Sequence, residues 1–299
     1  MSVVMQRQQH GSVMRRRSTP RTSVSTRASS SSSSNNNNNN NSPAVLRRTL
    51  DGPAMTKLDP GDDRNFYTVP RMVKHVDDTF LAQVTELYRQ RIPTEEAAVF
   101  DMCSSWVSHL PSERDYSFVA AHGMNAAELA ANRQLDQFFV RNLNKDRSPF
   151  PHEDNTFDAV LCCVSIQYKQ YPEEVLAECL RVLKPGGCVI ITFSNRLFYQ
   201  KAVAAWRDAT GYARCQLVCS YLRNVKGYTE PETILEVPLG DGPLLPSALQ
   251  NAPSALQQAY LSAMDTPVGK AIHRLAERSA NDPFYAIVSY KSFKRIDDE

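Results

Sequence analysis

The 299-residue sequence predicts an α/β domain built on a largely parallel sheet, and three observations carry the prediction. Short apolar runs alternate with segments of helical periodicity through the middle of the chain. One run, "CVIITFS" at Cys188–Ser194, is apolar without interruption, as expected of a strand covered on both faces. A helix pattern, "PEEVLAECLRVLKPGG", stands directly before it, with Pro172 in its first turn, Glu173 and Glu174 at its positive end, and Leu176, Leu180 and Leu183 on one face.

The elements follow in order. Phe80, Val84, Leu87 and Tyr88 have helical spacing, with Asp77, Asp78 and Thr79 as caps and Pro93 as the stop. "AAVFDM" at Ala97–Met102 and "YSFVAA" at Tyr116–Ala121 read as strands. In "NAAELAA", Asn125 stands three residues before Glu128, an N-cap and first-turn acid. "QFFV" at Gln137–Val140 and "FDAVLCCVS" at Phe157–Ser165 are further strands. Lys184 and Pro185-Gly186-Gly187 are expected to close the helix that begins at Pro172, with the two glycines shaping the turn into the next strand. Helices are expected across Leu197–Asp208 and Tyr212–Leu222, and a last strand in Phe284–Phe293. Residues 51–76 read as an extended lead-in. Residues 238–281 read as an insertion between the last two strands, either a substrate lid or a packed surface excursion.

Residues 1–50 are of another kind. They hold eight Arg, no Lys and no acid, with homopolymer runs Ser29–Ser34 and Asn35–Asn41. So few apolar residues do not offset the entropy of ordering, and the segment is expected to be disordered. Arg- and Ser-rich with no acids is the composition of an organelle transit peptide; the other reading is an unstructured tail lengthened by repeats. The net charge of +2 belongs to this leader, because the remainder holds 26 basic and 32 acidic residues. A mildly acidic body has no electrostatic footprint for nucleic acid, and no apolar run is long enough to span a membrane. Seven cysteines, several inside apolar runs and none in a C-x-x-C pair, indicate reduced thiols, with neither a disulfide framework nor a metal site.

"FPHEDNTFDAVLCCVSIQY", then "AECLRVLKPGG", then "CVIITFSN" closely resembles the fourth-to-fifth-strand section of class I S-adenosylmethionine-dependent methyltransferases. Within these it is similar to the type 11 group, and to a plastid and cyanobacterial branch through "DMCSSWVSHLP", "HGMNAAELAAN" and "SANDPFYAIVSYKSF". The resemblance runs from about Val69 to Phe293 and implies a Rossmann-like, doubly wound, mostly parallel seven-stranded sheet with an antiparallel last strand. It implies S-adenosyl-L-methionine as cofactor and a small-molecule or lipid-like acceptor, in a chloroplast or, alternatively, a mitochondrion.

Ligands of such sheets bind beyond the carboxyl ends of the strands. By resemblance the cofactor residues are therefore Asp101, Cys103, Ser104 and Ser105 after the first strand, Gly123 and Met124 after the second, Asn142 and Leu143 after the third, and Val164 and Ser165 after the fourth. Gln167 and Tyr168 are the candidates for work on the acceptor. Two departures from the family stand out. Cys103, Ser105 and Val107 replace the glycines of its acid-x-Gly-x-Gly-x-Gly loop, and Gly123 replaces the acid that holds the ribose hydroxyls. Losing that hydrogen bond weakens binding by about ten- to a hundredfold. The hydroxyls and N–H groups of Ser104 and Ser105 could compensate, as could His122 at the ribose. Trp106 either presents a ring face to the cofactor or fills space. Two functions follow: methyl transfer, or a non-catalytic methyltransferase fold that binds a protein partner in the organelle. A nicotinamide oxidoreductase is excluded, since no G-x-G-x-x-G opens a helix after a strand.

Overall fold

A computed structural model describes residues 43–239 and 281–293. The Ser and Asn runs, most of the leader and nearly all of the 238–281 insertion lie outside the described residues.

Seven strands form one sheet in the order β3-β2-β1-β4-β5-β7-β6. They are β1 Ala97–Met102, β2 Tyr116–Gly123, β3 Gln137–Val140, β4 Phe157–Cys163, β5 Leu183–Phe193, β6 Glu232–Ile234 and β7 Tyr285–Tyr290. Strands β1 to β5 pair in parallel, while β7 runs antiparallel between β5 and β6. The helices are α1 Asp63–Phe66, α2 Asp78–Arg91, α3 Ala126–Ala131, α4 Pro172–Val182, α5 Ala204–Arg207 and α6 Gly211–Arg223.

Alternation explains the continuous apolar runs. Phe100, Met102, Val160, Cys162, Val189 and Ile191 face one way, into a core shared with α4 and α6. Val99, Ala159, Leu161, Cys188 and Ile190 face the other way, against Phe80, Val84, Leu87 and Tyr88 of α2. Each central strand is thus apolar on both faces, as a doubly covered parallel sheet requires. The caps form as the sequence implies. Asp77 accepts from the Phe80 N–H, and Asn125 accepts from the N–H groups of Ala127 and Glu128.

Four elements differ from expectation. Helix α4 ends at Val182, because Leu183 already pairs with Phe157 in the sheet. Lys184 therefore pairs with Asp158 at 2.8 Å instead of capping a helix. Gly186 sits at φ +78 in the bulge between the two registers of β4 and β5. The helix expected over Leu197–Asp208 shortens to the single turn of α5. Strand β6 completes the edge beyond β7 and carries too few residues to show a period. The lead-in folds into a 3-10 turn at Gly52–Met55 and the turn of α1, and then crosses the sheet's carboxyl edge.

Candidate functional site

The carboxyl ends of β1, β2 and β4 open into a cavity of ≈ 290 Å³, close to the lower end of the ~300–1,000 Å³ usual for ligand pockets. Chain connections leave for opposite faces there, because β1 lies between β2 and β4. Asp101, Cys103, Ser104, Ser105, Gly123, Met124, Asn142, Val164, Ser165 and Tyr168 all line it. Leu143 and Gln167 do not. Leu143 packs into the core. Gln167 is 1 % exposed, and its side-chain amide donates to the Val164 carbonyl at 3.0 Å.

The floor is Asp101, 3 % exposed in β1. Burial pushes its carboxyl up to about 7, against the neighbouring Ser104 and Ser108 hydroxyls, which favour the charged form. Beyond it the loop keeps one feature of a glycine loop. Cys103 sits at φ +63, the left-handed region, although it carries a side chain. Val164, after β4, sits at φ +49, a strained setting for a β-branched residue. Ser105 and Val107 avoid positive φ, because the loop takes a different path there.

That path also explains Gly123. The Ser104 N–H donates to the His122 carbonyl at 2.7 Å, and the Cys103 N–H donates to His122 Nδ1 at 3.3 Å. The loop thus lies across the end of β2. A Cβ at Gly123 would stand 2.7 Å from the Ser104 carbonyl oxygen and 3.0 Å from Leu129. No side chain fits, so no acid can stand there. His122 is fully buried, with Nε2 donating to the Arg141 carbonyl at 2.8 Å, and does not line the cavity. Trp106 is half-buried at the cavity wall; its indole N–H donates to the Val73 carbonyl at 3.3 Å.

Several lining residues gave no sequence signal, because they come from the lead-in. Asp63, Tyr67, Arg71, Val73, Lys74, His75 and Val76 form the outer wall. The strand-end residues hold this strap in place. Asn142 donates to Asp62, Asn144 to Asp63, and Asn125 to the Tyr67 carbonyl. Glu128, buried in the first turn of α3, accepts from the Ser105 hydroxyl at 2.6 Å and from the Arg71 N–H at 2.7 Å. Arg71 itself lies over the Phe66 ring at 4.2 Å and near Phe198 at 5.5 Å. His75 packs edge-on to Phe198, and burial lowers its pKa; burial brings His109 down to about 4. Both imidazoles are therefore neutral near pH 7. Tyr168 Oη accepts from the Phe198 N–H at 2.9 Å, and burial raises its pKa, so it is no base.

Among the described residues no cluster of three His, Cys, Asp or Glu could hold a metal ion, and no helix is long and apolar enough to cross a membrane.

This strand order, with one antiparallel strand between β5 and β6 and a cleft at the β1 switch point, defines the class I S-adenosylmethionine-dependent methyltransferase fold. Residues 100–191, about a third of the chain, match the family model described as a methyltransferase domain. A 54-residue stretch is 41% identical to the demethylmenaquinone methyltransferase of Renibacterium salmoninarum, covering 18% of this chain and 23% of that protein. The chain thus matches less than a quarter of the length of that curated relative. Similar solved structures include the complex of the Haloferax volcanii Trm112 methyltransferase activator with a methyltransferase (16% identity, 73% of this chain and 92% of that one, TM-score 0.48). Haemonchus contortus phosphoethanolamine N-methyltransferase 2 with S-adenosyl-L-methionine is another (14% identity, 70% and 52%, TM-score 0.42).

The chain's own residues fit an adenosyl group in place and size. The cavity lies at the switch point, with apolar walls from Val107, Met124, Val164 and Leu197. The donor set is altered: the Ser104 and Cys103 N–H groups serve His122, and the Ser105 hydroxyl serves Glu128.

Proposed function

We propose that this protein binds S-adenosylmethionine in the cleft at the ends of β1, β2 and β4 and methylates a small-molecule or lipid-like acceptor. The observation that carries the reading is the cavity itself, enclosed by residues from three strand ends of a methyltransferase-type sheet. Ser104, Ser105, Met124, Asn142, Val164 and Ser165 would hold the cofactor, which supplies an electrophilic methyl on a sulfonium. The acceptor side is the strap, where Val73, Val76, Leu81 and Phe198 offer an apolar surface. These side chains exclude water, and fixing the acceptor at attack distance supplies most of the acceleration such a displacement needs. Where the acceptor must lose a proton, the neutral imidazole of His75 in the cleft wall takes it. The acid-free, Arg-bearing leader supports import into an organelle, with the plastid as the proposed destination.

Titration calorimetry of the full chain with S-adenosylmethionine and S-adenosylhomocysteine tests the reading. Binding at about 10–100 μM or tighter is expected, the range left after loss of the ribose acid. A folded protein that gives no heat and no thermal shift at millimolar ligand sinks it.

A further inference from the structure

Two lysines and two aspartates form an ion-pair network beside the cleft. Lys57 Nζ lies 2.8 Å from the Asp63 carboxylate. Lys201 Nζ lies 2.8 Å from Asp59 and 3.5 Å from Asp63. Both lysine side chains are 3 % exposed, and the two anions satisfy them. A third lysine enters the same wall. The Asn144 amide donates to Asp63 and to the Tyr168 carbonyl, each at 2.9 Å, and its oxygen accepts from the Gln170 N–H at 2.9 Å. The chain on both sides of Lys169 is thereby fixed to the network. Lys169 is 8 % exposed and lines the cavity. Among the described residues no carboxylate lies within ion-pair distance of its ammonium, and no oxygen accepts from it. Asp63 is already taken by Lys57, Lys201 and Asn144.

We propose that Lys169 is an anion subsite of the cleft, pairing with a carboxylate or phosphate oxygen of the methyl acceptor, which is then an amphipathic acid. That the anion belongs to an acceptor rests on the methyl-transfer reading above; the subsite itself does not.

A buried charge is costly unless an opposite charge meets it, and an unsatisfied buried polar group at a cavity wall calls for a partner. A neutral acceptor would leave the ammonium unpaired, whereas an anionic one completes the network. The position favours the acceptor end of the cleft. Tyr168, directly before Lys169, stacks on Phe198 with ring centroids 6.0 Å apart, and its Oη accepts from the Phe198 N–H. Phe198 lines the cavity with Val73, Val76 and Leu81, the apolar surface of the strap. An acceptor with its body on that surface turns its charged end toward Lys169. The lysine ammonium is a compact charge with three rotatable donors, so it imposes no planar fork and takes carboxylate or phosphate alike. The methionine carboxylate of the cofactor has the same chemistry and is the other source of such an anion.

The test uses the full chain and inorganic phosphate as the probe. In thermal melts at constant ionic strength, phosphate in place of chloride should raise the wild-type Tm saturably, by about 3–6 °C at ten times the half-saturating concentration. Lys169→Met should melt above the wild type in chloride, because an unpaired buried charge is gone, and should show no saturable rise; Lys169→Gln should likewise lose the rise. A wild-type chain that does not respond to phosphate would overturn the proposal, and that measurement depends on no variant. So would a rise that persists in Lys169→Met, or a Met variant that melts below the wild type in chloride, which would make the ammonium a structural group. Calorimetry separates the two sources of the anion. Lys169→Met should leave S-adenosylhomocysteine affinity within about twofold of the wild type. A loss of about tenfold or more, with 5′-methylthioadenosine binding unchanged, would assign Lys169 to the methionine carboxylate and overturn the acceptor role. The phosphate response needs no cofactor. A chain that responds to phosphate through Lys169 but gives no heat with S-adenosylhomocysteine would therefore lose the methyl-transfer reading and keep the anion subsite.

Discussion

The carbonyl oxygen of Ser104 lies 2.7 Å from where a Cβ would stand on Gly123. Two departures from the family pattern, the glycine-poor loop and the missing ribose acid, are therefore one structural event. The loop crosses the end of β2 and occupies the space an acidic side chain would need.

Replacing Gly123 tests this directly. Gly123→Ala and Gly123→Asp should each destabilise the protein by about 1–3 kcal/mol, the usual cost of overpacking. Gly123→Asp should not tighten S-adenosylhomocysteine binding. Urea denaturation and calorimetry on the same samples check both; a tighter, undamaged Asp variant would show that the loop yields.

Cys103 at φ +63 carries a strain that glycine would not. Cys103→Gly should exceed Cys103→Ala in stability by about 1 kcal/mol. The comparison isolates the backbone, since both variants lack the thiol, and thermal melts are sufficient to read it.

The pH dependence of Asp101 has a definite sign. Its folded carboxyl is raised to about 7, so between about pH 4 and 7 the folded state keeps a proton that the unfolded state has released. Its contribution is greatest below pH 4, falls as pH rises to 7, and is level above. Asp101→Asn should flatten this stretch and be more stable above pH 7 by about 2–4 kcal/mol. Parallel stability profiles for the two proteins would mean that folded Asp101 is already ionised at pH 5.

Glu128 joins the cofactor loop to the strap through Ser105 and the Arg71 N–H. Glu128→Ala should cost about 2–3 kcal/mol and expose the strap, speeding tryptic cleavage at Arg71 and Lys74. Glu128→Gln, which retains an acceptor oxygen, should fall between.

Ligand in the cleft and the Cys103 thiol share one cavity wall. Saturating S-adenosylhomocysteine should slow iodoacetamide labelling of Cys103 in proportion to the sites filled. Undiminished labelling at saturation, with heat of binding present, would place the ligand elsewhere.

The sheet was legible wherever local pattern and burial agree. The apolar runs at 97–102 and 157–163 became strands because both faces of the sheet are covered there, and 137–140 joined them as a half-exposed edge strand paired with β2. Strand β6 was not legible: Glu232–Ile234 has three residues, and its pairing with β7 depends on contacts distant in sequence. Leu143 and Gln167 were assigned to the site because they follow strands, yet which way a side chain turns after a strand depends on the loop's own path.

By itself, the sequence determined the order of the strands other than β6 and of the longer helices, the caps at Asp77 and Asn125, and the strand ends where a ligand would sit. These depend on period and on short-range hydrogen bonds. Only the tertiary structure decided that the lead-in forms a wall of the cleft, that Ser104 excludes an acid from position 123, and that Glu128 ties the loop at Ser105 to the strap at Arg71. Each of these is a meeting of residues far apart in the chain, set by how whole elements pack, and periodicity holds no record of it.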